Sequence, residues 1–183
     1  RDLMTLLQID YIKVSQAEGN EPPYSKADIQ ECIKHVVDVN WGDKTDIAPD
    51  IKMTMENAGH ILGSSSVYMQ IGEGKSEHRL LFSGDIKYEK SWLFDAATVR
   101  FPKVDTLVIE STYGGPQSIQ PTRHQASQEL QDLVSDTLSR KGKIFCPVFA
   151  VGRSQEVMLA IDELFKSGRV PPVTVWLDGM ISE

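Results

Sequence analysis

The sequence predicts an α/β fold, and three changes of pattern along the chain support this prediction. Apolar residues recur at helical spacing over 3–11 and again over 29–36. Between 51 and 82 they recur at every second position, which is typical of half-buried antiparallel strands. Beyond residue 118, helical and strand-like runs alternate with short connections, and this alternation is typical of a parallel sheet with helical crossovers.

Local signals place the elements of the first part of the chain. Ser25 is followed three residues later by an aspartate, which is the pattern of a capping box at a helix start. Gly59, Gly63 and the segment 72–75 mark turns between the strands. The run 104–112 is almost continuously apolar, so we expect a strand that is buried on both faces.

The last third of the chain has the texture of a second lobe. The expected elements are, in order, a helix over 126–138, a strand over 143–149, a helix over 154–168 and a strand over 173–179. A boundary near residue 118 therefore divides the chain into 1–117, part of an αβ sandwich, and 118–183, the beginning of an α/β lobe.

Composition excludes some classes of function and names none. The chain has 183 residues, of which 40% are hydrophobic and 25% charged, as in ordinary globular proteins. Its formal net charge of −7 argues against nucleic-acid binding through overall positive charge, so any such contact must be local. Cys32 and Cys146 lack the spacing of a metal site, and we expect buried free thiols.

The chain has no apolar stretch that approaches the roughly 20 residues of a membrane span, and it has no signal-peptide pattern at its start. We therefore expect a cytoplasmic protein that does not bind membranes. Arg1 leads straight into a helical pattern and the chain stops directly after an apolar run. This predicts an internal piece of a longer protein.

The segment AGHILGSS, 58–65, places a single histidine, His60, between glycines just after a strand-like run. A strand end fixes an imidazole, and glycines let backbone, metal and substrate approach closely, so His60 is a candidate metal ligand. A structural or merely exposed histidine is the alternative that the pattern leaves open.

The segment LLFSGDIKY, 80–88, delivers Asp85 from a strand immediately after a glycine. A carboxylate at such a position can bridge two divalent cations and lower the cost of holding them close together. An aspartate in a tight turn is the alternative interpretation of this segment.

Two further motifs carry polar residues at the ends of strand-like runs. Glu110 ends the run LVIE, where an ionised carboxylate requires a partner such as a metal-bound imidazole or a buried salt bridge. Arg153 and Ser154 begin a helix in FAVGRSQE, where N–H groups and a guanidinium suit a phosphate, although an N-cap alone accounts for such a turn.

Taken together and in this order, the motifs resemble one family. NAGHILGSS, SGDIKY, RFPKVDTLVIESTYGG and PVFAVGRSQEVM are similar to segments of the β-CASP branch of the metallo-β-lactamase superfamily, in particular archaeal relatives of the cleavage and polyadenylation specificity factor nuclease. The resemblance covers nearly the whole chain. It implies part of a metallo-β-lactamase αββα sandwich over 1–117, followed by the start of a parallel-sheet β-CASP domain over 118–183.

The resemblance also implies roles for the candidate residues. His60 and Asp85 match metal ligands, with Asp85 bridging two zinc ions, and Glu110 matches an acidic residue that holds a catalytic or ligating histidine. Arg153 and Ser154 match positions that contact the RNA backbone. The implied activity is zinc-dependent hydrolysis of RNA phosphodiester bonds, in RNA 3′-end processing or decay, with Asp85 and Glu110 taking part in catalysis. The implied partners are RNA and a second copy in a homodimer.

The sequence departs from the family pattern in its histidines. The HxHxDH motif is absent and is expected before residue 1, and two later histidine motifs are absent and are expected after residue 183. The remaining histidines are expected at the surface or in the core: His35, His78 and His124. We therefore expect the 183-residue chain alone to be inactive and to bind zinc weakly.

Two alternatives remain beside the ribonuclease. One is a metal-free scaffolding paralogue that binds RNA or partner subunits. The other is a small-molecule hydrolase of the metallo-β-lactamase fold, against which the segment after residue 118 counts.

Overall fold

The computed structural model describes residues 1–182, which form a mixed α/β structure. The chain divides into two compact units, Arg1–Asn40 and Trp41–Glu183. The division into domains near residue 118 stays a prediction. None of the helices within residues 1–182 is long and apolar enough to cross a membrane.

The first unit consists of two helices, α1 over Asp2–Ala17 and α2 over Lys26–Lys34. Helix α2 begins with the predicted capping box, in which the Ser25 hydroxyl accepts a bond from the Asp28 N–H and the Asp28 carboxylate accepts one from the Ser25 N–H. Ile12 of α1 and Ile29 of α2 are the buried apolar side chains of this unit. The two helices predicted from the spacing over 3–11 and 29–36 are thus confirmed, and the second ends at Lys34.

The second unit contains a five-stranded mixed sheet in the order β1-β2-β3-β4-β5. Strands β1 to β4 pair antiparallel, as the period-two pattern predicts for β2 to β4, and β5 pairs with β4 in parallel. The strands are β1 Lys44–Ala48, β2 Ile51–Asn57, β3 Ser65–Ile71, β4 His78–Phe82 and β5 Thr106–Val108. A 3₁₀ turn over Gly74–Ser76 connects β3 to β4.

Tyr68 of β3 organises the buried face of this sheet. It is buried, and its ring stacks on that of Phe101 with the centroids 6.5 Å apart. Its hydroxyl donates a hydrogen bond of 3.0 Å to the carbonyl of Lys103. This side chain therefore helps to hold the connection from β4 to β5 against the sheet.

Two further helices follow the sheet, α3 over Arg123–Ser139 and α4 over Arg153–Lys166, both close to the predicted ranges. Thr122 and Gln125 form a capping box at the start of α3. A small apolar core joins the two helices to the segment after them, and its buried members are Val134, Leu164 and Val170. A 3₁₀ turn over Gly179–Ser182 follows.

The prediction of strands over 143–149 and 173–179 is wrong, since the structure has no strand in either range. Both runs are apolar, yet Phe145 and Trp176 are among the most exposed side chains, at 90% and 88%. A strand exists only through backbone hydrogen bonds to a neighbouring strand, and within residues 1–182 neither run has such a neighbour. The expected parallel sheet of the second lobe is accordingly not formed.

Two predictions of burial are also corrected. The run 104–112 contributes only the three-residue β5, and its residues are exposed. Strand side chains point to the two faces of the sheet, and within residues 1–182 no helix packs closely against β5 to cover them. Cys32 and Cys146 are free thiols as expected, but both are exposed. An apolar run in the sequence indicates side chains that could be buried. It does not show that another part of the protein covers them.

Candidate metal and nucleic-acid site

His60 lies in a tight turn that directly follows β2. The hydroxyl of Ser64 accepts hydrogen bonds from the N–H groups of His60, at 3.0 Å, and Ile61, at 3.1 Å. The carbonyl of Ser64 accepts a further bond of 3.1 Å from the N–H of Ala58. These bonds fix the backbone on both sides of the imidazole. The His60 side chain remains 36% exposed and so can reach a ligand.

Gly59 allows this turn to pack against the segment that follows Asp85. Its φ of 67° lies in the left-handed region, where side chains are disfavoured. A Cβ at this position would lie 2.7 to 2.8 Å from three backbone atoms, those being the carbonyl oxygens of Lys87 and Asp95 and the nitrogen of Ala97. The close backbone approach predicted for the glycines near His60 is therefore confirmed at Gly59.

Asp85 stands in the loop that leaves β4, and this loop is anchored on both sides. The N–H of Ser83 donates to the carbonyl of Val108 at 2.9 Å, and the N–H of Lys87 donates to the carbonyl of Ala58 at 2.9 Å. The second of these bonds ties the Asp85 loop directly to the His60 turn. The Asp85 side chain itself is 70% exposed.

The two anchored loops bring the candidate ligands together. Nε2 of His60 lies 4.0 Å from Oδ2 of Asp85. The proximity expected of these two residues is observed, while their role as metal ligands stays a prediction. Within residues 1–182 no group of three or more histidine, cysteine, aspartate or glutamate side chains is arranged to hold a metal ion.

Glu110 follows β5 and reaches back to the Asp85 loop. The sequence predicts an imidazole partner for it; in the structure, its two carboxylate oxygens accept the backbone N–H groups of Ile86, at 2.8 Å, and Thr112, at 3.2 Å. The pKa of Glu110 lies below its usual value because of hydrogen bonds from Thr112 and from the Ile86 N–H, with a smaller contribution from His60. Since Ile86 adjoins Asp85, Glu110 positions the backbone next to the candidate ligand.

The start of α4 lies against the His60 turn, because a Cβ placed on Gly152 would lie 3.3 Å from Ile61 Cγ2. The N–H groups of Arg153 and Ser154 donate to backbone carbonyls within the same turn. The expected free N–H groups are thus occupied at these two positions. Ser154 is 1% exposed and its hydroxyl donates to the carbonyl of Ala150 at 2.6 Å, so it fastens the helix start. Its contact with RNA stays a prediction.

The Arg153 side chain belongs to a cluster of charges that the sequence analysis missed. Its Nη1 lies 3.0 Å from Oε2 of Glu156, and Nη2 of Arg123 lies 3.6 Å from Oε1 of the same carboxylate. The N–H of Trp92 also donates to Oε1 of Glu156, at 3.2 Å. The spacing of Arg153 and Glu156 on one helix face could have indicated the first ion pair, whereas Arg123 and Trp92 are brought in only by the fold.

Glu156 is charged in spite of being largely covered. Burial pushes the pKa of Glu156 upward, but a hydrogen bond from Ser91 and the charges of Lys87, Arg123 and Arg153 together hold it below the usual value. Burial lowers the pKa of Lys87, Glu156 opposes this shift, and the two arginines lower it further. The cluster therefore combines three cationic side chains with Glu156, and Glu89 acts on Lys87 as a second carboxylate.

Comparison with known proteins gives one consistent set of relatives. No protein-family model matches the chain. Proteins named transcription termination factor FttA match all 183 residues, at 46% identity in Lokiarchaeum sp., 48% in Methanothermobacter thermautotrophicus and 45% in Pyrococcus horikoshii. The chain spans 28% of the length of each of these relatives. It is thus similar, from its first residue to its last, to one region of archaeal transcription termination factors.

Proposed function

We propose that the whole protein is a zinc-dependent ribonuclease of the β-CASP type, and that His60 and Asp85 are two of its metal ligands. The observation that supports this most is the separation of 4.0 Å between His60 Nε2 and Asp85 Oδ2, on two loops that are tied together by backbone hydrogen bonds. Imidazole nitrogen and carboxylate oxygen are both zinc ligands. The proposal includes a metallo-β-lactamase arrangement of the sheet, with β-CASP residues after 118.

The pair fits one zinc ion in part. With zinc–ligand bonds of about 2.1 Å, two ligands of a tetrahedral site lie roughly 3.4 Å apart. The observed 4.0 Å is slightly wider, and the Asp85 side chain is 70% exposed. A catalytic zinc takes three protein ligands, so this proposal requires further ligands outside residues 1–182.

Zinc, when bound, supplies Lewis-acid assistance to phosphodiester hydrolysis by neutralising the charge that develops at phosphorus. The residues of this chain would hold the metal and orient the loops that carry its ligands. Asp85 provides the negative charge that lets two cations lie close together, and the Ser64 hydroxyl fixes the turn that carries His60. Glu110 acts as a positioning residue, because its carboxylate fixes the N–H of Ile86 beside Asp85.

RNA is the proposed substrate. The relatives are named as transcription termination factors, and a transcribing polymerase carries a nascent RNA. The chain's net charge of −7 requires that RNA bind through a local basic surface, and Arg153 lies on such a surface at 53% exposure. A homodimer is part of the same proposal.

The test is cleavage of a labelled single-stranded RNA by the whole protein before and after removal of metal. We expect cleavage by the untreated protein, loss of cleavage after treatment with a chelator, and recovery when zinc is restored. The variant His60→Ala is expected to remain inactive after zinc is restored, whereas His78→Ala, which changes an exposed histidine of β4, is expected to cleave normally. Chelator-resistant cleavage would contradict the proposal.

A metal-free RNA-binding scaffold is the second candidate. It is favoured by the exposed guanidinium groups of Arg123 and Arg153 beside Glu156, which suit an RNA phosphate and need no metal. It predicts RNA binding with no cleavage under any metal condition and no zinc in the purified protein. The same labelled RNA therefore separates the two candidates, since only the ribonuclease shortens it.

A further inference from the structure

Two arginines from different helices meet at one carboxylate, and a lysine from a third segment acts on the same carboxylate by its charge. Lys87 lies in the loop after β4, Arg123 is the first residue of α3 and Arg153 is the first residue of α4. Both arginines make ion pairs with Glu156, at 3.6 and 3.0 Å. Lys87 makes no ion pair within residues 1–182, yet its charge acts on the same carboxylate.

The charges at this position do not cancel. Three positive charges face Glu156, and Glu89 also acts on Lys87, so the cluster carries one more positive than negative charge in a chain whose net charge is −7. The Glu156 side chain is 11% exposed, whereas those of Arg123 and Arg153 are 38% and 53% exposed. The carboxylate therefore lies beneath the cations, and the uncompensated charge faces outward.

Glu156 orients Arg123 and Arg153, and both guanidinium groups keep further N–H donors that a ligand can bind. A guanidinium has five N–H groups; Nη1 of Arg153 donates one hydrogen bond to Glu156 at 3.0 Å, whereas Arg123 makes only an ion pair with this carboxylate, at 3.6 Å. The Trp92 N–H holds the carboxylate in turn, at 3.2 Å from Oε1. A planar guanidinium that is fixed on one side matches the oxygens of a phosphate on the other.

We propose that Lys87, Arg123 and Arg153 form one binding site for a phosphate group of single-stranded RNA, with Glu156 as the largely covered residue that holds the site together. This rests on the proposed function for the identity of the polyanion. Of the three cations only Arg153 is indicated by its sequence motif, so the site adds Lys87 and Arg123 as RNA contacts and assigns Glu156 a positioning role.

The cluster adjoins the His60–Asp85 pair through the backbone. Lys87 is two residues beyond Asp85, and its N–H is bonded to the carbonyl of Ala58 at the base of the His60 turn. On the other side, Gly152, which precedes Arg153, lies against Ile61. An RNA phosphate held by the cluster therefore places its neighbouring nucleotides beside the candidate metal ligands.

The test is RNA binding by the whole protein, measured by fluorescence anisotropy with a labelled single-stranded oligoribonucleotide in the presence of EDTA. The variants are Lys87→Gln and Arg123→Gln, compared across a salt series of about 50 to 200 mM. Loss of a charge-assisted phosphate contact is expected to weaken binding about tenfold at low salt. The slope of log affinity against log salt is expected to fall by about 0.7 for each variant.

Arg140→Gln is the matched control, because Arg140 lies at the other end of α3 and pairs with Asp136 rather than with Glu156. It is expected to leave both affinity and slope unchanged. Arg123→Lys keeps the positive charge but loses the planar, two-pronged arrangement of guanidinium N–H donors. We therefore expect it to keep the salt slope of RNA binding and to lose part of the RNA affinity. Thermal unfolding of each variant checks that the protein remains folded.

Titration with inorganic phosphate distinguishes a free anion from a polynucleotide. We expect phosphate to compete with RNA weakly, and this competition to be lost in Arg123→Gln. If folded Lys87→Gln and Arg123→Gln bind RNA like the Arg140→Gln control at every salt concentration, the proposal is wrong, even if phosphate alone binds tightly. Because EDTA is present, this outcome is independent of whether the protein cleaves RNA.

Discussion

Glu110 shows how one carboxylate can set the position of another without touching it. Its oxygens accept the N–H groups of Ile86 and Thr112, so the strand β5 that precedes it and the loop after β4 are joined at the residue next to Asp85. The N–H of Glu110 is bonded in turn to the Ser83 hydroxyl at 3.1 Å. No uncharged side chain of the same size offers two acceptor oxygens, so none can accept both N–H groups in the way this carboxylate does.

Glu110→Gln is therefore expected to loosen the Asp85 loop. The amide keeps one acceptor oxygen and places an NH₂ group opposite the second N–H, which should lower the free energy of unfolding by about 1 kcal/mol. RNA cleavage by the whole protein should slow, while RNA affinity in EDTA stays unchanged. Denaturant unfolding and cleavage rates measure these effects. Glu73→Gln, in the exposed β3–β4 connection, is the control, and an equal loss in that variant would contradict a positioning role.

At the scale of the elements, the local sequence pattern predicts which runs form helices or strands better than it predicts which strands pair with one another. The helices and the antiparallel strands β2 to β4 follow from periodicity, because each has one face to bury and a near neighbour in sequence. β1 is mostly polar and has no such pattern. The runs 143–149 and 173–179 have the composition of strands, but composition does not name the strand beside them.

The candidate site divides in the same way. His60, Asp85 and Glu110 stand at the ends of patterned runs and could be identified from the sequence. Lys87 and Arg123 lie 36 residues apart and meet only after folding around Glu156, so no local spacing reveals them. Ser154 had a local signal for a phosphate contact, and the structure buries its hydroxyl under the helix start.

The two glycines beside His60 give a prediction about the turn. Gly59 and Gly63 both have positive φ, 67° and 76°, but a Cβ meets backbone atoms at 2.7 to 2.8 Å only at Gly59 and nothing within 4 Å at Gly63. Gly63→Ala is expected to cost about 1 kcal/mol of the free energy of unfolding through backbone strain alone. Gly59→Ala should cost roughly 3 kcal/mol or more, since the clash adds to the strain.

Chemical denaturation of both glycine variants measures the difference. The Gly63→Ala protein is the internal control for the left-handed conformation. Equal stability of the two variants would show that the close packing of the His60 turn against residues 87–97 contributes nothing.

At the scale of the whole molecule, the acidic chain concentrates positive charge in one place. Glu156 permits this, because its carboxylate lowers the repulsion among Lys87, Arg123 and Arg153. The folded-state pKa of Glu156 is lowered, so its contribution to stability is present above roughly pH 4.3, the ordinary pKa of glutamate, and is lost as the pH falls below that value.

Comparison of the protein with Glu156→Gln isolates this contribution from those of other carboxylates. At neutral pH we expect the variant to have the lower free energy of unfolding, and we expect the difference to shrink as the pH falls below roughly 4. Denaturant unfolding at a series of pH values measures it. A difference that grows as the pH falls would show that Glu156 carries no stabilising charge.

The central claim is that Asp85 holds metal, and zinc content of the whole protein tests it most directly. Elemental analysis should be made on the parent, on Asp85→Asn and on Asp46→Asn, which changes an exposed carboxylate on β1. Removing the Asp85 charge should remove most of the zinc and abolish RNA cleavage, because a carboxylate is what allows cations to lie side by side. Asp46→Asn should match the parent in both respects. Full zinc content in Asp85→Asn, together with cleavage at the parent rate, would contradict the account.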